Sequence, residues 1–396
     1  MPTIHKRKLS YIRFLLNVLL IAVTAFGGPQ AHLLTMQDIL VKKRKYLTNK
    51  DLLELNALCQ LLPGPTSTQT ITAIGYKLGG LPLALITIFI WIMPACILMT
   101  LFAVFYLKIN QAALNTNFLR FLQPISIAFV LAAAYRLGQK NLTKPLYVAL
   151  AIAALVVSVV FVSPYMYPLA LLLGGMAAYY LQQNQFVKQK VNLTIKYKLL
   201  YIYFGLLLAS AIVGTTAQYR PALLFENTYR FGSLVFGGGQ VLIPMLYDQF
   251  VLQKHYLTSQ EFLTGYGIAQ AIPGPVFAFS CYVNALALQK NDIYSIIGGA
   301  GIGAIAIFTP GALLVFFVYP IWQQVKTYQG LQKALEGVTA AAVGLIVASA
   351  VLLLKNMQLT TQYLIGTIVV FLLLIFTNTP SWLVVIFALV AGFVLA

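Results

Sequence analysis

Phe26-Gly27-Gly28-Pro29-Gln30 opens a stretch that closes at Gln60-Leu61-Leu62-Pro63-Gly64-Pro65, and the chain contains that stretch twice. Shifted by 210 positions, Phe26 becomes Phe236 and the pattern returns as Phe236-Gly237-Gly238-Gly239-Gln240, closing at Gln270-Ala271-Ile272-Pro273-Gly274-Pro275. Between these ends the register holds without a gap. Asp38 meets Asp248, Tyr46-Leu47-Thr48 meets Tyr256-Leu257-Thr258, and Asp51 meets Glu261. Glycine and proline positions stay in step, so each half carries the same two backbone breaks inside apolar sequence. In a membrane, irregular backbone survives only where protein or a cavity surrounds it. Matched interruptions in two halves point to a transporter's binding site.

Composition supplies the solvent. Of 396 residues, 60% are hydrophobic and only 9% charged, with a mean hydropathy of +0.85. A soluble domain carries about 25% charged residues, so most of this surface faces lipid. The formal charge of +18 sits in short segments between apolar runs. That placement suits loop anchoring and anionic lipid and argues against nucleic acid. Lys6-Arg7-Lys8 precede an apolar run that already contains the first motif, so this reads as a retained first segment and not a cleaved signal. Cys59, Cys96 and Cys281 form no CxxC pair and read as small buried residues.

The fold class that follows is an all-α, multi-pass membrane protein of two homologous halves arranged as an inverted-topology repeat. It has about thirteen hydrophobic segments, some of them broken or re-entrant helices. Residues 1–181 form the first repeat, 182–215 a basic linker plus one extra transmembrane helix, and 216–396 the second repeat. Residues 220–230, with Arg220, Glu226 and Arg230, read as a mixed loop. Basic loops orient the halves. A cytoplasmic N-terminus and a cytoplasmic 182–198 linker, followed by one lone span near 199–215, start the second half on the opposite face. The expected location is the plasma (inner) membrane. A homodimer is compatible with the sequence, which is otherwise silent on assembly.

The breaks define the candidate site. Pro29 and Pro65 suit the first position of a half-helix, and the preceding glycines permit unusual angles. Beyond Pro65 the first turn is Thr66-Ser67-Thr68-Gln69, which offers unpaired backbone N–H groups, a positive dipole end and hydroxyl donors. These features hold an oxyanion without a bound cation. The second copy has Val276-Phe277-Ala278 in the same place, so the first half should supply more side-chain contacts. The residues expected to shape the anion site are Gly27, Gly28, Gln30, Pro63, Gly64, Thr66, Ser67, Gln69, Gly237, Gly238, Gln240, Pro273 and Gly274. His32, Asp38 and Asp248 are candidates for proton coupling, against the plainer readings of a packing histidine and helix-end carboxylates. Thr48/Asp51 and Thr258/Glu261 have capping-box spacing. No nucleophile with a base, no metal-spaced cluster and no cofactor motif is visible, so neither an enzyme nor a metal or cofactor is expected.

Taken together, Phe26-Gly27-Gly28-Pro29 with Ala31-His32, and Leu58-Cys59-Gln60-Leu61-Leu62-Pro63-Gly64-Pro65-Thr66-Ser67-Thr68-Gln69, resemble the N-terminal half of the chromate transporter family. Phe236-Gly237-Gly238-Gly239, Ile243-Pro244, Gly265-Tyr266-Gly267-Ile268-Ala269-Gln270 and Pro273-Gly274-Pro275 resemble its C-terminal half. The resemblance runs through essentially the whole chain and matches the long, two-half members. It implies transport of chromate, a tetrahedral dianion, usually outward as a resistance mechanism, with sulfate as a competing analogue. The alternatives are an uptake carrier for sulfate or another inorganic anion, and a passive anion channel.

Overall fold

The computed structural model describes residues 10–111, 117–161, 166–183, 197–236, 239–288, 292–322, 328–356, 360–377 and 379–394. Helix is the regular structure throughout these residues, as a chain in lipid requires when its backbone groups must pair internally. Among the described residues, four helical runs are long and apolar enough to cross a membrane: Thr66–Ile109, Lys198–Ala217, Ile293–Ile321 and Gln329–Lys355.

Each broken segment is a hairpin. Helix α1 (Tyr11–Thr24) starts under the Ser10 cap and stops at the first break. Helix α2 (Gly28–Met36) then opens with Gly27 in the left-handed region (φ 93°) and Pro29 in its first turn, and continues as a π-helix over Gln37–Lys43. The end of that arm returns to the middle of α1. Arg44 Nε donates to Asn17 Oδ1 at 3.2 Å, and the Tyr46 ring meets Phe14 at 5.6 Å. The second hairpin pairs α3 (Asn49–Gln60) with the start of α4 (Thr66–Gln111). Asp51 at its open end is bound by Lys77, and residues 61–65 form its tip. The run called α4 is two helices meeting at Gly80, whose φ of 67° suits glycine.

Helices α5 (Leu122–Asn141), α6 (Pro145–Val160) and α7 (Met166–Gln182) complete the first half, and α8 (Lys198–Ala217) links it to the second. The hairpins then recur as α9 (Arg220–Leu234), α10 (Gly239–Tyr247) with a π-helix over Asp248–Gln253, α11 (Ser259–Ala269) and α12 (Phe279–Leu288). Helices α13 (Ile293–Val318), α14 (Gln329–Asn356), α15 (Thr361–Phe376) and α16 (Ser381–Val394) follow. Residues 220–230 are therefore helical. Arg230 Nε binds Glu226 at 2.8 Å with both side chains largely buried, which is why a charged segment could fold as helix here. Most of the basic linker, 184–196, lies outside the described residues.

The repeats match in backbone detail. Lys45 and His255 both take positive φ (53° and 49°), as do Gly64 and Gly274 (119° and 98°). Tyr46 N donates to Leu40 O and Tyr256 N to Phe250 O. Both capping boxes form, on Thr48/Asp51 and Thr258/Glu261. Packing crosses between repeats. The core around the first pair of hairpins includes Ala312, Val315, Phe316 and Trp322 of the second half. The core around the second pair includes Ala95, Met99, Ala103 and Tyr106 of the first. Small residues allow the close approaches. A Cβ at Gly303 would lie 2.4 Å from Ser280 O, and one at Gly299 2.4 Å from Asn284 O.

Candidate functional site

The four hairpin tips meet. Gly64 N donates to Val235 O at 2.7 Å, and Gly274 N donates to Ala25 O at 3.0 Å. Ala25 and Val235 occupy equivalent positions, as do Gly64 and Gly274, so one contact becomes the other when the repeats exchange. The neighbouring packing obeys the same exchange. A Cβ on Gly64 would lie 3.3 Å from Gly311 Cα, and one on Gly274 would lie 3.0 Å from Ala95 Cβ. Reciprocal pairs of this kind are the mark of a two-fold, self-complementary interface. Gly64 and Gly274 therefore knit the tips together and do not offer their amides to a ligand. The N–H groups left for a ligand are those of the half-helix first turns, which have no intrahelical acceptor.

On the first-repeat side those turns are polar. Gly27 and Gln30 are exposed at the start of α2, Gly28, Pro63 and Thr66 are half-buried, and Gly64 and Ser67 are buried. His32, 1% exposed, joins the two half-helices, with Nδ1 2.9 Å from Ser67 Oγ. Its ring stands edge-on to Trp91 at 5.3 Å, and Trp91 Nε1 donates to Thr68 Oγ1 at 3.0 Å. The Ala25 backbone lies beside the imidazole, but Nε2 makes no hydrogen bond of good geometry. Gln69 Nε2 donates to Pro63 O at 2.7 Å and to Gly311 O at 3.3 Å, while its Oε1 is buried without a partner. Buried polar atoms are nearly always paired, so these two open valences lie unusually close to the tips.

On the second-repeat side the same backbone carries apolar side chains. Pro273 is half-buried and Gly274 buried, with Val276, Phe277 and Ala278 in the first turn. Gln240 lies in α10, but its side chain, like Gly237 and Gly238, falls outside the described residues. Asp38 and Asp248 lie away from the tips, in the π-helices. Asp38 is a half-exposed partner of Lys43 at 2.7 Å, whereas Asp248 is 1% exposed. Among the described residues no cluster of three or more metal-ligating side chains occurs. A groove of about 620 Å³ between α4 and α13 is lined by apolar groups such as Leu85, Phe89, Ile297 and Ile305. With no charged wall it could not compensate the desolvation of a dianion.

Sequence reading missed Trp91 and the Gly311 carbonyl. Neither belongs to a motif. Gly311 lies inside α13, against Gly64 and Gln69. The Glu226–Arg230 pair was missed because charge density read as a loop.

Paired hairpins with unwound tips, set among apolar spanning helices, are the architecture of a membrane transporter. The chain belongs to the chromate transporter family, whose profile matches residues 12–180 and 222–393. It is similar to a chromate transport protein of Cupriavidus metallidurans, 24% identical over 372 residues that cover 93% of this chain and 89% of the other. A chromate transport protein of Pseudomonas aeruginosa is 25% identical over 361 residues, 87% of this chain and 81% of its own. An uncharacterized transporter of Methanocaldococcus jannaschii is 23% identical over 393 residues, 98% and 94% of the two chains. No solved structure matches the chain.

Proposed function

We propose that the protein is a secondary carrier that moves chromate outward across the plasma membrane, with sulfate competing as an analogue of the same charge and shape. The observation that carries this reading is the reciprocal meeting of the four tips beside unpaired first-turn donors. The dianion sits against the first turns of α2 and α4, with Gly27, Gly28, Gln30, Pro63, Thr66 and Ser67 around it and His32 and Gln69 behind. Gly64 and Gly274 set the tips, and Pro273 closes the site from the second repeat; Gly237, Gly238 and the Gln240 side chain, outside the described residues, are proposed as further contacts. Outward movement agrees with the membrane potential. Each negative charge leaving an interior at negative potential gains about 2.3 kcal/mol per 100 mV. Interlocked tips favour a carrier over an open channel.

In this reading residues 1–181 and 216–396 are the two repeats, and the hairpins are re-entrant, entering and leaving from one face. The lone span α8 inverts the second repeat relative to the first, with the N-terminus cytoplasmic, and no catalytic step is involved. The test is flux of labelled chromate and sulfate in proteoliposomes holding the purified protein. The expected result is saturable chromate flux inhibited by sulfate but not by chloride. Flux that never saturates would indicate a channel, and absence of flux for every oxyanion would refute the proposal.

A further inference from the structure

The two π-helical segments agree in backbone and differ in charge. In the first, Asp38 lies at the surface and Lys43, five residues on, holds it at 2.7 Å. In the second, the carboxylate is Asp248 and the residue five on is Gln253. The cation has been replaced by a neutral amide and the carboxylate has been sealed. Asp248 is 1% exposed, and neither of its oxygens has a hydrogen-bond partner of good geometry among the described residues. The Gln253 amide lies close to the carboxylate on the same element. Tyr167 of α7 is buried near the carboxylate. Lys254 and His255, next in the chain, are exposed, and no ion pair to Asp248 forms among the described residues. Phe250 and Val251 are buried on the same turn. A carboxylate enclosed this way is strongly disfavoured as an anion and tolerated as a neutral acid.

We infer that Asp248 is the proton-binding site of this carrier and that Asp38 has no part in coupling. The inference rests on the carrier reading above and adds the coupling ion. One helical rod connects the two events. Helix α10 begins at the tip, where a Cβ on Gly239 would lie 3.3 Å from the Phe277 ring, and runs into the π-helix that holds Asp248. Its first turn packs at the tip and its far end holds the proton. Deprotonation leaves a buried charge that only a shift of this rod toward solvent can relieve, and that shift changes the tip. π-Helical turns recur at functional sites, and their looser backbone suits such a shift.

The test uses the full chain in proteoliposomes with the membrane potential clamped. Chromate accumulation driven by a pH gradient is measured beside chromate–chromate counterflow, which needs no net proton movement. Gradient-driven accumulation should fall about tenfold or more in D248N and equally in Q253K, which restores the cation of the first repeat. Counterflow in the same vesicles shows that these variants are folded and loaded. D38N should keep the gradient response. An infrared pH titration reads the proton directly: a protonated carboxylic acid band near neutral pH should be present in the parent protein and lost in D248N. Accumulation in D248N at the parent level, or an infrared band that D248N leaves unchanged, would overturn the inference while leaving the anion site standing. Absence of counterflow in the parent protein would instead defeat the carrier reading, and the infrared band would still decide whether Asp248 holds a proton.

Discussion

The first-repeat tip and the second-repeat tip have one backbone and opposite chemistry. Residues 61–70 and 271–280 share the same pattern of burial, and their glycines share the same left-handed angle. Yet Thr66-Ser67-Thr68-Gln69 is matched by Val276-Phe277-Ala278-Phe279, and His32 by the buried Leu242. The same division recurs at the π-helices, where the paired Asp38–Lys43 is matched by Asp248 and Gln253. Duplication preserved what the fold needs, which is tips that interlock by reciprocal amide–carbonyl bonds. The side chains differ, with hydroxyl and amide groups gathered at the first-repeat tip and the enclosed carboxylate in the second repeat.

The largest expected effect tests what the tips share. G64V and G274V should each abolish chromate flux. Left-handed strain costs about 1–3 kcal/mol, and the new side chain must also displace Gly311 or Ala95. Normal flux in either variant would break the equivalence of the tips. The next effect tests what they do not share. T66V/S67V should weaken chromate affinity about tenfold, the loss expected when donors to a charged group are removed. S280A in the second repeat, whose hydroxyl donates to Phe277 O and Gly303 O, should lower stability by about 1 kcal/mol and leave affinity unaltered in equilibrium binding. Equal affinity losses would make the two tips chemical partners after all. G28A should be milder than G64V. Its Cβ would meet nothing within 4 Å at φ 83°, which leaves only strain of about 1–2 kcal/mol, readable as a modest fall in thermal stability.

The smallest effects lie at the open ends of the hairpins. T48A and T258A should each cost about 1 kcal/mol through the lost cap. Burial pushes the Asp51 carboxyl up, but Lys77 and the Thr48 donors outweigh it and hold the group down at about 2. A depressed carboxylate stabilises the fold above its unfolded value of about 4, and the benefit is lost as pH falls toward 2. The melting-temperature gap between the parent protein and D51N should therefore be constant above that value and close below it.

Much of this was legible in the sequence because Gly, Pro and cap positions fix backbone angles locally. Gly64 and Gly274, and the Thr48 and Thr258 boxes, needed no tertiary information. What could not be read was which atoms use which amides. The acceptors of Gly64 and Gly274 N–H, Val235 O and Ala25 O, lie in the opposite repeat, where no local motif points to them. Likewise Arg230 looked like loop charge until Glu226, one helical turn away, was seen to pair with it. The fate of Asp248 depended on a lysine missing from a turn that looks alike in both halves.

The central claim is that both repeats close around one oxyanion at the tips. In a background lacking the three native cysteines, single cysteines at Thr66 and at its equivalent Val276 would be labelled with a thiol reagent. The account predicts that chromate and sulfate slow labelling at both positions and chloride at neither. Labelling that ignores chromate at both positions would contradict it.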